Sequence, residues 1–239
     1  MNRKYLFGGA GLALGFIAMF FITKSINKNA APPVTSPNRA GAARPAGAQG
    51  QPNQQQMMGE VREAIEKAKT SPNDFEAQAR VAGMYYQIGM VDEAVEYMKK
   101  AYDVNSTEAG KMGIQPYVAQ YYFDKKEYPE AERWFRRAIE VEPNDTELLV
   151  HLGVTFIQRT PPDPDKAVNF IQSALKQKPK DAHALGHLIS AFALKKDARG
   201  AEEAFNRLKE AEPNNQMIPN YEKMVADLKA GKPVTIPTE

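Results

Sequence analysis

The stretch Tyr117 to Asp145, YVAQYYFDKKEYPEAERWFRRAIEVEPND, decides the fold of this chain. Its apolar residues recur three and four positions apart in two successive blocks, which predicts two amphipathic helices joined by a tight turn. Pro143-Asn144-Asp145 then ends the second helix. Because a single helix pair cannot bury both of its apolar faces, the fold depends on whether the neighbouring sequence repeats the pattern.

The pattern recurs along the chain. The small residue at the start of the second helix appears as Ala94, Ala131, Ala167 and Ala201, at separations of 37, 36 and 34 residues. Two further positions recur after it, seven residues later and then five beyond that: Ala101, Ala138, Ala174 and Leu208, followed by Ser106, Pro143, Pro179 and Pro213. Two more positions recur before the small residue in the first, second and fourth copies. Twelve residues before it stand Ala82, Ala119 and Ile189, and nine residues before it stand Tyr85, Tyr122 and Phe192.

In the third copy, Gly153 and Phe156 occupy these two positions two residues earlier, because Pro161 to Pro164 lengthen the turn between the helices.

The spacings resemble those of the tetratricopeptide repeat, a helix-turn-helix unit of about 34 residues. The resemblance implies an all-α solenoid whose array, residues 75–215, contains about four repeats. Their predicted bounds are 75–111, 112–145, 146–181 and 182–215, with about three extra residues near Asn105 to Gly113.

Both ends of the array have helical patterns of their own. Val61, Ala64, Ile65 and Ala68 share one face, which predicts an N-terminal capping helix within residues 57–74. Tyr221, Met224, Val225 and Leu228 share another, which predicts a C-terminal capping helix within residues 216–230. Residues 231–239 form a short tail without a pattern.

The N-terminal part differs in composition. Residues 1–4 are a basic head, and the uncharged apolar run Tyr5–Ile22 predicts a transmembrane anchor over residues 5–23. A cleaved secretory signal is the alternative, although the run is longer than a typical signal core and ends without a small-residue cleavage site. Residues 24–56 are rich in Ala, Pro, Gly and Gln, which predicts a disordered linker.

Charge restricts the location and the partners. The first 59 residues hold six basic and no acidic residues, whereas residues 60–239 hold 25 basic and 29 acidic residues. The basic head favours a single-pass protein of the bacterial inner membrane with periplasmic repeats. The slightly acidic repeat region argues against a nucleic-acid partner. The absence of cysteine excludes disulfide and thiolate chemistry.

The sequence has no nucleophile, phosphate-loop, dinucleotide or zinc-protease motif, so we expect neither an enzyme nor a bound cofactor. First helices of such repeats line a concave groove, where apolar anchors and side-chain amides suit an extended or helical segment of another protein. The alternative, that the aromatic residues only pack between repeats, stays open. The predicted groove residues are Tyr86, Gln87, Tyr117, Gln120, Phe123, His151, Val154, His183 and His187.

The order of basic head, span, linker and repeats resembles the layout of bacterial envelope assembly factors, including those of cytochrome c maturation. This layout predicts a membrane-anchored scaffold for protein–protein interaction. One alternative is a metal- or haem-handling protein that uses Glu147, His151, His183 and His187, since three imidazoles and a carboxylate could hold zinc or copper. A second alternative is an adaptor of reverse topology that faces the cytoplasm.

Overall fold

The computed structural model describes residues 54–236. The predicted head, the predicted span and nearly all of the predicted linker lie outside the described residues, as do the last three residues of the tail. Within residues 54–236, none of the helices combines the length and the apolar character that a membrane crossing needs.

Residues 54–236 contain eleven α-helices and no β-strand, which confirms the all-α fold class for this part of the chain. In chain order the helices are α1 (Gln54–Thr70), α2 (Phe75–Gln87), α3 (Val91–Val104), α4 (Ser106–Lys111), α5 (Ile114–Asp124), α6 (Tyr128–Val141), α7 (Thr146–Gln158), α8 (Pro164–Gln177), α9 (Ala182–Lys195), α10 (Ala198–Ala211) and α11 (Ile218–Lys229). The four predicted pairs are α2 with α3, α5 with α6, α7 with α8, and α9 with α10.

The recurrent positions lie at the contacts between neighbouring helices. All four alanines at the start of the second helices are fully buried, and the residues seven positions later are buried as well. Small side chains allow two helix backbones to come close, and a bulky one in the same place would hold them apart. These residues are Ala94, Ala131, Ala167 and Ala201, followed by Ala101, Ala138, Ala174 and Leu208.

The chain divides into two compact units, one that ends at Ile114 and one that begins at Gln115. In the N-terminal unit, Ala64 and Ala68 of α1 are buried together with Val81 and Met84 of α2. Val61, Ile65, Tyr85 and Tyr97 pack around this cluster. Helix α1 therefore covers the apolar face of α2, as a capping helix does.

A buried glutamine fixes the connection between α1 and α2. Gln78 is 1% exposed, and its Nε2 donates hydrogen bonds to the carbonyl oxygens of Ala68, at 2.8 Å, and Pro72, at 3.3 Å. The first bond satisfies a carbonyl group in the last turn of α1, which has no helical partner, and the second satisfies a carbonyl group of the turn that follows. A burial this deep is unusual for glutamine, and no sequence pattern indicated it.

The first helix of the second pair begins at Ile114, two residues after the predicted start of the repeat at Met112. Residues 106–111 form the additional helix α4, which the Asn105 side chain caps by accepting a hydrogen bond from the Glu108 N–H at 3.1 Å. Gly113 has a φ of 67°, a conformation that favours glycine, and α5 begins at Ile114. The extra residues are thus accommodated as a short helix of their own.

In the C-terminal unit, α7 contacts α6, α8 and α9, and α9 contacts α7, α8, α10 and α11. Ten of the 13 residues of α7 are buried, because three neighbouring helices cover most of its circumference.

At the end of the chain, Tyr221, Met224 and Val225 of α11 are buried, and the Tyr221 ring packs against Gly186 of α9. Helix α11 therefore closes the apolar surface of the last pair.

Aspartate caps begin three of the four first helices. The side chains of Asp74, Asp145 and Asp181 accept hydrogen bonds from the backbone N–H groups of Ala77, Leu148 and Ala184 at 3.0 to 3.1 Å. Each aspartate follows a proline by two residues, so one short motif ends a helix and starts the next.

We expect Asp74→Asn to reduce the loss of stability in acid. The Ala77 N–H, together with nearby Lys67, lowers the pKa of Asp74 below its ordinary value of 3.8. The folded state therefore gains stability from this carboxylate above about pH 4, and loses it as the pH falls through the lowered pKa. Asparagine keeps the cap and removes the titration. Thermal unfolding of both proteins between about pH 6 and pH 3 tests this, and an unchanged pH dependence would contradict it.

Candidate protein-binding site

The N-terminal unit contains a shallow, open apolar pocket with a cavity volume of about 20 Å³. Ala79, Gly83 and Tyr86 line it from α2, where a spacing of four and three residues places them on one helix face. The remaining lining residues are Ala82 of α2, Met98 of α3, Met112 and Ile114. The Tyr86 hydroxyl is the only side-chain hydrogen-bonding group among the lining residues.

Tyr86 forms one wall of this pocket and is half-buried, whereas Gln87 next to it is exposed. Two other lining residues are buried: Met98 of α3 is 4% exposed, and Ile114 at the start of α5 is 2% exposed. Sequence reasoning found Tyr86 but missed Met98, Met112 and Ile114. Met98 belongs to the apolar stripe of a second helix, and the other two lie beside the inserted helix, whose path the sequence did not define.

The turn between α2 and α3 exposes a run of apolar side chains. Ile88, Met90 and Val91 are 52%, 40% and 36% exposed, and Gly89 between them has a φ of 79°. The pattern of the repeats did not predict this apolar turn. It lies directly after Tyr86 and Gln87, so it extends the apolar character of this end of α2.

The predicted groove residues of α5 differ in their exposure. Tyr117 is only 9% exposed, so most of its ring is covered by neighbouring residues. Gln120 donates a hydrogen bond from Nε2 to Asp124 Oδ1 at 2.8 Å. Phe123 is half-buried and meets the Tyr128 ring edge to face, with centroids 5.6 Å apart.

The predicted groove residues of α7 are also partly used for packing. Val154 is 8% exposed, so little of its side chain is open to solvent, and its place in a binding groove stays a prediction. His151 stacks on Phe135 of α6, with ring centroids 5.8 Å apart and an interplanar angle of 8°. This contact places the imidazole against its neighbouring helix.

On α9, His183 is exposed and His187 is half-buried. Their Nε2 atoms are 3.1 Å apart, and the rings meet edge to face with centroids separated by 4.4 Å. Over residues 54–236, no group of three or more His, Cys, Asp or Glu side chains is arranged to hold a metal ion. The predicted grouping of Glu147, His151, His183 and His187 therefore does not form, because His151 stacks on Phe135 instead.

The comparisons with known proteins agree with this architecture. Residues 75–108 and 118–145 match one family model described as tetratricopeptide repeat, and residues 163–215 match another of the same description. The matched segments cover most of the four helix pairs. No curated protein sequence matches this one.

Solved structures share the fold at low sequence identity. A crystal structure of MamA is 22% identical, with a TM-score of 0.52, and the match covers 66% of this chain and 90% of MamA. MamA from Desulfovibrio magneticus is 19% identical, with a TM-score of 0.51 and coverage of 67% and 88%. A tetratricopeptide repeat protein from Parabacteroides merdae is 13% identical, with a TM-score of 0.57 and coverage of 93% and 75%. Likeness at these identities shows the fold alone.

Proposed function

We propose that this tetratricopeptide-repeat chain is a membrane-anchored scaffold that holds another protein at the bacterial inner membrane during assembly or maturation of an envelope component. The repeats and their fold support an interaction scaffold. The anchor rests on the apolar segment Tyr5–Ile22, and the periplasmic placement rests on the basic head before it. The role in envelope assembly rests on the layout of these segments.

The apolar pocket of the N-terminal unit is the observation that carries the binding role. Its lining contains no charged side chain, so it favours an apolar group. A leucine or methionine side chain on an extended or helical partner segment has this character. Gln87 and the exposed apolar turn lie beside the pocket in the sequence and provide additional contacts for such a segment.

We expect Ala79→Phe and Tyr86→Ala to weaken partner binding at least about tenfold, because the first fills the pocket and the second removes its wall. The partner is first identified by co-purification from detergent-solubilised membranes, and its affinity for the full chain is then measured by calorimetry. Val141→Ala is the control, since Val141 is 47% exposed in the other unit. Unchanged affinity in both pocket variants, with helical content intact, would disprove the pocket as the binding site.

The membrane topology requires a separate test. A reporter that is active only outside the cytoplasm, fused after Glu239, is expected to be active, and the protein is expected to stay in the membrane at its full mass. An inactive reporter would favour the cytoplasm-facing adaptor. A product shortened by about 30 residues would favour cleavage of a secretory signal. The affinity measurement on the purified chain does not depend on its orientation in the membrane, so the binding site and the topology can fail separately.

A further inference from the structure

The two histidines of α9 are arranged as a pair with converging nitrogens. His183 and His187 lie one helical turn apart on the same face, and their Nε2 atoms approach to 3.1 Å. Zinc and copper bind imidazole nitrogen at about 2.0 to 2.1 Å, so two nitrogens in adjacent positions of one ion lie about 2.9 to 3.4 Å apart. The pair therefore already has the separation of a two-nitrogen chelate.

We infer that His183 and His187 form a binding site for a first-row divalent metal ion, with Cu²⁺ bound most tightly. Neutral imidazole is a preferred ligand of copper, nickel and zinc, and affinity at a given nitrogen site rises to a maximum at Cu²⁺. The ion replaces the hydrogen bond between the two rings, and each ring turns its Nε2 lone pair toward the metal. The inference does not depend on the proposed function.

The helix that carries the pair is held on several sides. Asp181 caps its first turn through the Ala184 N–H at 3.0 Å, and its own residues Leu185 and Leu188 are buried against the neighbouring helices. The ring of Tyr221 packs against Gly186, between the two histidines in the sequence. A rigid helix fixes the spacing of the two ligands before the ion arrives, which reduces the entropic cost of chelation.

The site is open on its outer side, because His183 is exposed and no third ligand of the described chain joins the pair. The bound ion therefore has coordination positions left for water or for a donor atom of another molecule. Catalytic zinc sites have such open positions, whereas structural zinc sites do not. Haem does not fit this geometry. Two axial haem ligands lie on opposite sides of the iron, whereas these nitrogens occupy adjacent positions.

Titration of the full chain in detergent micelles with Cu²⁺ alone, followed by calorimetry and electron paramagnetic resonance, tests the inference. We expect one ion per chain and a spectrum with hyperfine splitting from imidazole nitrogen. His183→Ala and His187→Ala are each expected to weaken binding at least about tenfold, because each leaves a single imidazole ligand. His151→Ala is the matched control, since that ring stacks on Phe135 and is not one of the pair.

Circular dichroism of each variant shows whether the fold is intact, so that lost binding is not confused with unfolding. A control variant that binds like the unaltered chain, together with weakened binding in both pair variants, supports the site. Binding in the His183→Ala/His187→Ala double variant that equals that of the unaltered chain would overturn the inference, as would the absence of binding in the unaltered chain.

Discussion

Ala138→Arg is expected to destabilise the C-terminal unit by about 4 kcal/mol or more, which is much of the stability of an ordinary domain. Ala138 lies in α6 and is 2% exposed, at the position where each repeat places a small or apolar residue. An arginine there must either bury an unpaired charge or force its helix away from the neighbouring helices. Both routes remove buried apolar contacts of the C-terminal unit.

The matched control is Val141→Arg on the same helix. Val141 is 47% exposed, so the same charge enters solvent there and is expected to change stability by less than about 0.5 kcal/mol. Thermal unfolding of residues 54–236, followed by circular dichroism, should show a melting temperature lower by about 10 °C or more for Ala138→Arg alone. Equal effects of the two substitutions would show that position 138 is not a close contact between helices.

The repeated helix pairs could be predicted because their signal is carried by many positions at once. A small residue begins the second helix in all four copies, an alanine follows seven residues later in three of them, and a helix-ending proline comes after that in three. The burial of Ala94, Ala131, Ala167 and Ala201 follows from that agreement. The additional helix α4 could not be predicted, since it is a local insertion whose sequence has no counterpart in the other copies.

The candidate site was predictable only in part, because helical spacing assigns a residue to a face and does not determine how deeply a neighbour covers that face. Tyr86 and Tyr117 were both predicted to line the groove, yet the first forms a pocket wall and the second is buried. The histidine pair was predictable from its four-residue spacing within one helix. The position of His151 depended on the packing between two helices, and periodicity contains no information on it.

Gly153→Ala is expected to destabilise the C-terminal unit by about 1 to 3 kcal/mol, although alanine is the better helix former. Gly153 lies in α7, and a Cβ built there would be 2.6 Å from Ile171 Cγ1 and 3.2 Å from the Ala167 carbonyl oxygen. Ile171 is fully buried and the carbonyl belongs to the backbone of α8, so neither can move aside easily. Helices α7 and α8 must separate to admit the methyl group.

The control is Gly59→Ala in α1, where a Cβ would have no atom within 4 Å. Without a clash, only helix propensity acts, so this substitution is expected to stabilise the chain by about 0.5 to 1 kcal/mol. The two identical changes should therefore shift the free energy of unfolding, measured with urea, in opposite directions. The same sign at both positions would show that close packing at Gly153 does not limit stability.

A double-mutant cycle assigns the cost to the contact with Ile171. Ile171→Ala removes the atom at 2.6 Å and leaves room for the new methyl group, although it lowers stability itself by about 2 to 5 kcal/mol. In that background Gly153→Ala is expected to be neutral or stabilising, because the steric penalty is gone and the gain in helix propensity remains. An undiminished cost would assign the penalty to the Ala167 carbonyl instead, and the α7–α8 distance would then be set by backbone contact.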